Sequence, residues 1–193
     1  MSRPTAVIVL CEDNRTFSFT RTYLKRCGIE DRGIRPIISP RGRGCGFDFV
    51  IKNFAAQVNA YKLVSARLHT WLVAIVDADT GTVAQRIGQM NAELTNAQEP
   101  RVKAIRIEDE RIARLVPRQN IETWILALNS RTVSETVDYK NTIKSNEEWF
   151  ALIPVASETF YTLTRANAKL PEGLIASLRH GVDEMRRVFQ LAR

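Results

Sequence analysis

The chain has 193 residues, 45% hydrophobic and 25% charged, an ordinary globular composition that supports one sizeable core. Lysine and arginine number 28 against 21 acidic residues, so the net charge is +7 and the isoelectric point about 9.7. A basic surface favours a polyanionic partner, nucleic acid first, although a soluble domain without such a partner can carry the same charge. No stretch approaches the roughly 18 to 20 apolar residues that span a bilayer, so we expect no membrane partner.

The cysteine pattern and the N-terminal sequence bear on the cellular compartment. Cys11, Cys27 and Cys45 are odd in number, widely spaced and free of any CxxC pair, which indicates neither a zinc site nor a disulfide framework. Reduced thiols are typical of a cytosolic protein. The apolar run near the N-terminus is too short for a signal peptide. We therefore expect a cytoplasmic protein.

The first elements alternate between strand and helix. TAVIVLC (5–11) is short, β-branched and nearly all apolar, which is typical of a buried strand in a parallel sheet. An amphipathic helix follows, whose apolar face ends at Cys27, and Gly28 suits its C-terminal cap. GIRPIIS (33–39) predicts a second strand. Pro36 lacks an N–H donor, so we expect this strand at an edge of the sheet or near a strand end.

The alternation continues after a glycine-rich basic loop, RGRGCG (41–46). Helical spacing of apolar residues predicts a long amphipathic helix over 47–68. WLVAIV (71–76) predicts a third strand, and an apolar stripe over 83–94 predicts the next helix. VKAIRI (102–107) alternates apolar and basic residues, which predicts a fourth strand nearer an edge. This order predicts an α/β protein with a parallel, Rossmann-like sheet flanked by helices.

The pattern changes after the fourth predicted strand. NIETWILALN (120–129) predicts a helix with Asn120 as its N-cap. The stretch 130–148 is polar and loop-like, and two further helices are predicted over 157–170 and 172–193.

These elements divide the chain into an α/β core, residues 1–130, and a helical C-terminal extension, residues 131–193, that packs on the core. The last helix carries an apolar stripe of Leu174, Ile175, Leu178, Val182, Met185, Val188 and Phe189. That stripe either packs on the sheet or forms the face of a homodimer.

Acidic residues follow two of the predicted strands. Glu12 comes directly after the first strand, and Asp77 and Asp79 come after the third. Ligands of open α/β sheets bind beyond the carboxyl ends of the strands, so these side chains converge if the two strands are neighbours. Carboxylates in one place raise one another's pKa values, and a hard divalent cation such as Mg²⁺ or Mn²⁺ relieves that conflict. The sequence therefore predicts a metal site.

A purely structural role fits part of the same pattern. Asp79 or Thr80 is suited to cap the helix that starts near Gly81. For Asp79 alone, capping and metal binding are equally compatible with the sequence, whereas the full set of three acids favours a metal.

VIVLCED and LVAIVDADTG resemble the Toprim domain of topoisomerases, primases, recombination proteins and nucleases. RLVPRQNIETWILAL (114–128) is similar to a segment of small Toprim-like proteins of bacterial defence loci, of the RloB and OLD-nuclease types. The resemblance covers residues 5–130. It implies a nuclease in which Asp77 and Asp79 bind Mg²⁺ while Glu12 acts as general acid/base or tunes the metal.

The resemblance has further implications and one departure. It implies that Glu122 is an additional metal ligand, although an acid in the first turn of a helix is also explained by the helix dipole. Toprim proteins usually have glycine after the glutamate, and Asp13 stands there. The implied chemistry is metal-assisted phosphodiester hydrolysis, and a defence role implies a companion ATPase or another defence protein as partner.

Four arginines are candidates for nucleic-acid binding. Arg41 and Arg43 lie in the glycine-rich loop, which lacks the G-K-[ST] of a Walker loop. Arg15 follows Glu12 closely, and Arg118 lies in a second basic stretch. Solvated surface arginines explain the same residues without any ligand.

Two other functions remain open. A phospho-receiver-like domain would use Glu12 and Asp13 as its acid pair and Asp77 as phospho-acceptor, but it also needs a lysine that the sequence does not locate. A non-catalytic Toprim-like subunit that binds or senses a partner is compatible with Asp13 in place of glycine.

Overall fold

A four-stranded sheet forms the centre of the protein in a computed structural model that describes residues 6–40, 42 and 45–191. The strands are β1 (Ala6–Cys11), β2 (Ile34–Ile38), β3 (Thr70–Ile75) and β4 (Ile112–Leu115), in the spatial order β2-β1-β3-β4. All neighbouring pairs are parallel. The predicted α/β class with a parallel, Rossmann-like sheet is therefore confirmed, and β2 with its proline lies at the edge.

The register places the ends of β1 and β3 side by side. Cys11 pairs with Ile75, the last residue of each strand. The segments that leave these two strands therefore start next to each other, at the carboxyl edge of the sheet.

Helices cover both faces of the sheet. They are α1 (Asn14–Arg26), α2 (Gly46–Ser65), α3 (Val83–Asn96), α4 (Pro100–Lys103), α5 (Ile121–Leu128), α6 (Asn146–Thr164) and α7 (Ala176–Leu191). Short 3₁₀ turns span Asp31–Gly33 and Ile107–Asp109. Within the described ranges, no helix combines the length and the apolar character that a membrane crossing requires.

Alternate residues of each strand enter two different cores, as the two-residue period of a strand requires. On β3, Trp71, Val73 and Ile75 pack with α1, α5, α6 and α7, whereas Leu72 and Ala74 pack with α2 and α3. The sheet is thus the middle of three layers.

The helices after residue 130 belong to the first of these cores. Leu178, Val182 and Met185 of α7 are buried there together with Phe160 of α6. Trp124 of α5 donates its indole N–H to Ser177 Oγ at 2.8 Å. The apolar stripe of the last helix therefore packs within the chain, against the sheet and α5.

Two sequence predictions are wrong in this region. Residues 102–107 form no strand: α4 ends at Lys103, a 3₁₀ turn begins at Ile107, and β4 comes later, over Ile112–Leu115. The helix predicted over 157–170 instead begins at Asn146 and ends at Thr164. Ser145 caps its start by accepting a hydrogen bond from the Glu148 N–H at 3.0 Å.

Candidate functional site

The ends of β1 and β3 meet through a direct hydrogen bond. Glu12 Oε1 accepts from the backbone N–H of Asp77 at 2.7 Å, across 65 positions of sequence. The prediction that the first and third strands are neighbours is confirmed, and Glu12 and Asp77 lie together because of it.

Several carboxylates surround this contact. Burial raises the pKa of Asp77 well above its usual range, and the charges of Glu12, Glu122, Asp13 and Asp79 raise it further. Burial likewise raises the pKa of Glu12 to about 7; the hydrogen bond from Asp77 lowers it, and the Asp79 and Asp13 charges raise it. Asp77 therefore lies near enough to Glu12, Asp79, Glu122 and Asp13 for their charges to act on it.

Asp13 begins α1 rather than making a tight turn. Its backbone is extended, at φ −151° and ψ 177°, a conformation open to any residue. Its Oδ1 accepts from the Thr16 N–H at 2.8 Å and so caps the helix. The absence of glycine after Glu12 consequently has a local structural explanation.

The loop after β3 is fixed by arginines and by the segment after β4. Asp79 has a positive φ of 50° and forms a single antiparallel bridge with Gln119. Arg86 donates Nε to the Asp77 carbonyl at 3.2 Å and Nη2 to the Ala78 carbonyl at 3.1 Å. Arg118 donates Nη1 to the Asp79 carbonyl at 3.0 Å. These hydrogen bonds and the bridge fix the position of the loop that carries the two aspartates.

Neither Asp79 nor Thr80 caps the following helix, so that alternative is wrong. Thr82 is the cap: its Oγ1 accepts from the Gln85 N–H at 3.1 Å, and Gln85 Oε1 accepts from the Thr82 N–H at 2.8 Å. The Asp79 carboxylate instead lies 3.7 Å from Arg86 Nη2.

Glu122 reaches the cluster from the first turn of α5. Its side chain is 6% exposed and lies 3.4 Å from Arg15 Nη1. Burial raises the pKa of Glu122, and Arg15 partly offsets that rise. The Arg15 guanidinium also lies 5.4 Å from the centre of the Trp149 ring. Asn120 caps α5 as predicted, through Oδ1 and the Thr123 N–H at 3.3 Å.

The predicted nucleic-acid-binding arginines have different surroundings. Arg15 is paired with Glu122 and remains partly exposed at the site, with 30% of its side chain open to solvent. Arg118 donates to backbone carbonyls of Asp79 and Gly81, so its guanidinium serves the loop. Arg41 and Arg43 lie outside the described residues.

Lys140 is a cation of the site that the sequence did not reveal. Partial burial lowers the pKa of Lys140, but the charges of Asp79, Asp77, Glu12 and Glu122 outweigh that effect and raise it overall. Its loop is attached to the start of α5, since Asp138 Oδ1 accepts from both the Lys140 N–H, at 2.8 Å, and the Asn120 side chain.

A cleft of about 460 Å³ opens beside the carboxylates and is lined by Glu12, Asp13 and Arg15, among others. Gly46, the first residue of α2, also lines it: a Cβ added there would lie 2.6 Å from Glu12 Oε2. A larger cleft of about 590 Å³ lies among α1, α6 and α7, but none of the clustered acids lines it. Cavity size alone therefore does not mark the site.

The donor chemistry of the cluster fits a hard divalent cation. All the candidate ligands are carboxylates, the oxygen donors that Mg²⁺ and Mn²⁺ prefer. No described residue donates a hydrogen bond to the Asp77 carboxylate. Burial and the neighbouring charges raise the pKa of that carboxylate. In the present side-chain arrangement, no three acids, histidines or cysteines of the described ranges form a group ready to hold one ion.

The fold and the cluster define an α/β protein with carboxylates gathered at the carboxyl edge of a parallel sheet. Comparisons of the chain with protein-family models, curated proteins and solved structures find no match.

Proposed function

We propose that the protein is a Mg²⁺- or Mn²⁺-dependent nucleic-acid phosphodiesterase of the Toprim type. The observation that carries the proposal is the contact of Glu12 with the Asp77 backbone at 2.7 Å, which unites the acids of two separate strand ends. Fixed carboxylates at this edge of a parallel sheet suit a metal ion and a phosphate group. The basic composition, with a net charge of +7, suits a nucleic-acid substrate.

Each acid has a role that its surroundings favour. Asp77 and Asp79 would hold the ion, on a loop already fixed by Arg86 and Arg118. The bound ion would polarise the phosphoryl oxygens and lower the pKa of water. Glu12, with a pKa raised to about 7, is suited to hold or release a proton at neutral pH.

The remaining charged residues would position the substrate and the acids. Glu122 is suited either to ligate the ion or to hold Arg15, its partner at 3.4 Å. Arg15 supplies positive charge in the cleft, and Lys140 supplies it near the acids, where a phosphodiester backbone would lie. Hydrolysis fits better than DNA strand passage, because strand passage requires a tyrosine nucleophile in this context and the sequence offers none.

A nuclease assay on DNA, RNA and tRNA, with Mg²⁺ or Mn²⁺, tests the proposal. The wild-type protein should cleave at least one substrate, EDTA should stop the reaction, and Asp77→Ala should abolish it. Burial of the charged Asp77 raises its pKa, so the variant should be no less stable than the wild type. Glu172→Gln, which changes an exposed acid far along the chain, is the matched control. Cleavage that survives Asp77→Ala would refute the proposal.

Lys140 favours a second candidate, the phospho-receiver-like domain, because such a domain needs a lysine near its phospho-acceptor aspartate. Asp77 lies close enough to Lys140 for the aspartate charge to raise the pKa of the lysine. A receiver would take up phosphate from a small phosphodonor at Asp77 and cleave no nucleic acid. A non-catalytic subunit would do neither and would lose only metal affinity in Asp77→Ala.

The biological setting proposed with the nuclease is anti-phage defence in the cytoplasm, with a companion ATPase or another defence protein as partner, or with a second copy in a homodimer. Co-purification of the tagged protein from cells that carry its neighbouring genes tests the first partner. Light scattering of the purified chain tests the second.

A further inference from the structure

Phe150 is the most exposed of the large apolar side chains in the described ranges, with 60% of its surface open to solvent. It follows Trp149, which is fully buried, in the first turns of α6. A single exposed apolar residue needs no explanation by itself. Its position suggests a role, because Phe150 lines the same cleft as Glu12 and Asp13.

The cleft combines two kinds of surface. Glu12, Asp13 and Arg15 line it with charge, while Phe150, Ile38 and Pro40 line it with apolar groups. Its volume of about 460 Å³ falls within the range of roughly 300–1,000 Å³ typical of small-ligand sites. A nucleotide has the same division, since a flat, largely apolar base is joined to an anionic phosphate.

We propose that Phe150 is a base-stacking residue and that the substrate is single-stranded nucleic acid, one base of which lies against the Phe150 ring while the adjoining phosphate faces Arg15. This inference rests on the proposed nuclease function and adds the substrate class. Bases within a duplex are stacked on each other and do not offer a face to a protein ring, whereas unpaired bases do. Stacking of this kind tolerates any base, so the inference includes both RNA and DNA.

Binding measurements with two probes separate stacking from charge attraction. The probes are a short fluorescent oligothymidylate and an abasic oligonucleotide of equal length, which keeps the phosphates and lacks the bases. Binding is measured by fluorescence anisotropy with Mg²⁺ present. All proteins carry Asp77→Asn, so that cleavage does not consume the probe. Phe150→Ala should raise the Kd for oligothymidylate between about 5-fold and about 150-fold, and leave the Kd for the abasic probe unchanged.

Matched variants complete the design. Phe150→Trp should retain binding, because tryptophan also offers a flat ring. Val155→Ala removes another exposed apolar side chain of α6, 53% exposed and outside the cleft lining, and should change neither Kd. Phe150→Leu keeps an apolar group without a ring and should behave like Phe150→Ala.

Three results would overturn the inference: equal weakening of both probes by Phe150→Ala, a preference for duplex over single strand that Phe150 does not affect, or a change of oligomeric state in Phe150→Ala without loss of oligothymidylate binding. The last result would identify Phe150 as part of a protein interface. The two proposals fail separately, since cleavage without any role of Phe150 refutes only this inference. Phe150-dependent binding without cleavage by the wild type refutes only the nuclease.

Discussion

Replacement of Glu12 by glutamine should stabilise the metal-free protein at alkaline pH while it removes the proposed activity. The pKa of Glu12 rises from an ordinary value of 4.5 to about 7 in the fold, mainly because the carboxyl is buried. One pKa unit corresponds to about 1.4 kcal/mol, so ionised Glu12 destabilises the fold by up to about 3 kcal/mol. Glutamine has no charge to bury, and its carbonyl oxygen can still accept the hydrogen bond from the Asp77 N–H.

The size of this effect depends on pH. Below about pH 4.5 the carboxyl is protonated in both the folded and the unfolded chain, and Glu12→Gln should change the free energy of unfolding little. Between about pH 4.5 and 7 the unfolded chain loses the proton first, so the wild type loses stability as the pH rises. Above about pH 7 the full difference should be present.

Urea unfolding in EDTA, on the acid and the alkaline side of this window, measures the difference. Glu172→Gln is again the control, because its carboxyl is exposed and its loss should matter little at either pH. Added Mg²⁺ should stabilise the wild type by mass action and Glu12→Gln much less. An equal stability difference at both pH values, or a variant less stable than the wild type at alkaline pH, would show that the pKa of Glu12 is not raised in the folded protein.

Three further substitutions test packing and local geometry. Gly181→Ala should lower the free energy of unfolding in urea by about 1–3 kcal/mol, because the added Cβ would overlap the Trp124 ring, with Cζ3 only 3.0 Å away. Gly88→Ala, where nothing lies within 4 Å, should raise that free energy by up to about 1 kcal/mol. Equal effects at the two glycines would contradict the packing. Gly46→Ala should displace the Glu12 carboxylate and slow cleavage by about 100-fold with stability nearly unchanged, so wild-type rates would contradict that geometry. Asp13→Ala should cost about 1 kcal/mol by loss of the α1 cap, Asp13→Asn should cost little, and equal losses in thermal melts would rule out capping as the role of Asp13.

The alternation of buried strands and helices was readable in the sequence because strands inside a parallel sheet are apolar on both faces. The fourth strand was not, because Arg114 interrupts its apolar run. In the structure Arg114 is buried, its backbone N–H donates to Glu184 Oε2 at 2.8 Å, and its guanidinium lies 3.8 Å from the same carboxylate. A partner 70 residues away on α7 thus makes a charged strand possible, and no local pattern contains that information.

The start of α6 was missed for a different reason. The first turn is polar and Pro154 lies in the helix interior, so the apolar period begins late. The signal that identifies the start is the S-x-x-E pattern of Ser145 and Glu148, in which Glu148 Oε2 also accepts from the Lys144 N–H at 3.1 Å.

The acids of the candidate site were predictable because each follows a recognisable strand or begins a recognisable helix. The cations were not. Arg86 lies four residues before Met90, on the buried stripe of α3, and that spacing is a signal that could have indicated a buried partner for the aspartate loop. Lys140 lies in a loop with no periodic pattern. Its loop is attached through Asp138, which accepts hydrogen bonds from the Lys140 N–H and from the Asn120 side chain, and only the folded chain shows that.

The shared core of the sheet and the last two helices has a consequence for truncated forms of the protein. Apolar residues of β1, β3 and β4 share one core with α7, so a form that lacks α7 leaves part of that core exposed. Such a form would still contain the strand ends that carry Glu12 and Asp77. We expect it to be cleared by proteases, because the exposed apolar surface belongs to the layer on which those strand ends depend.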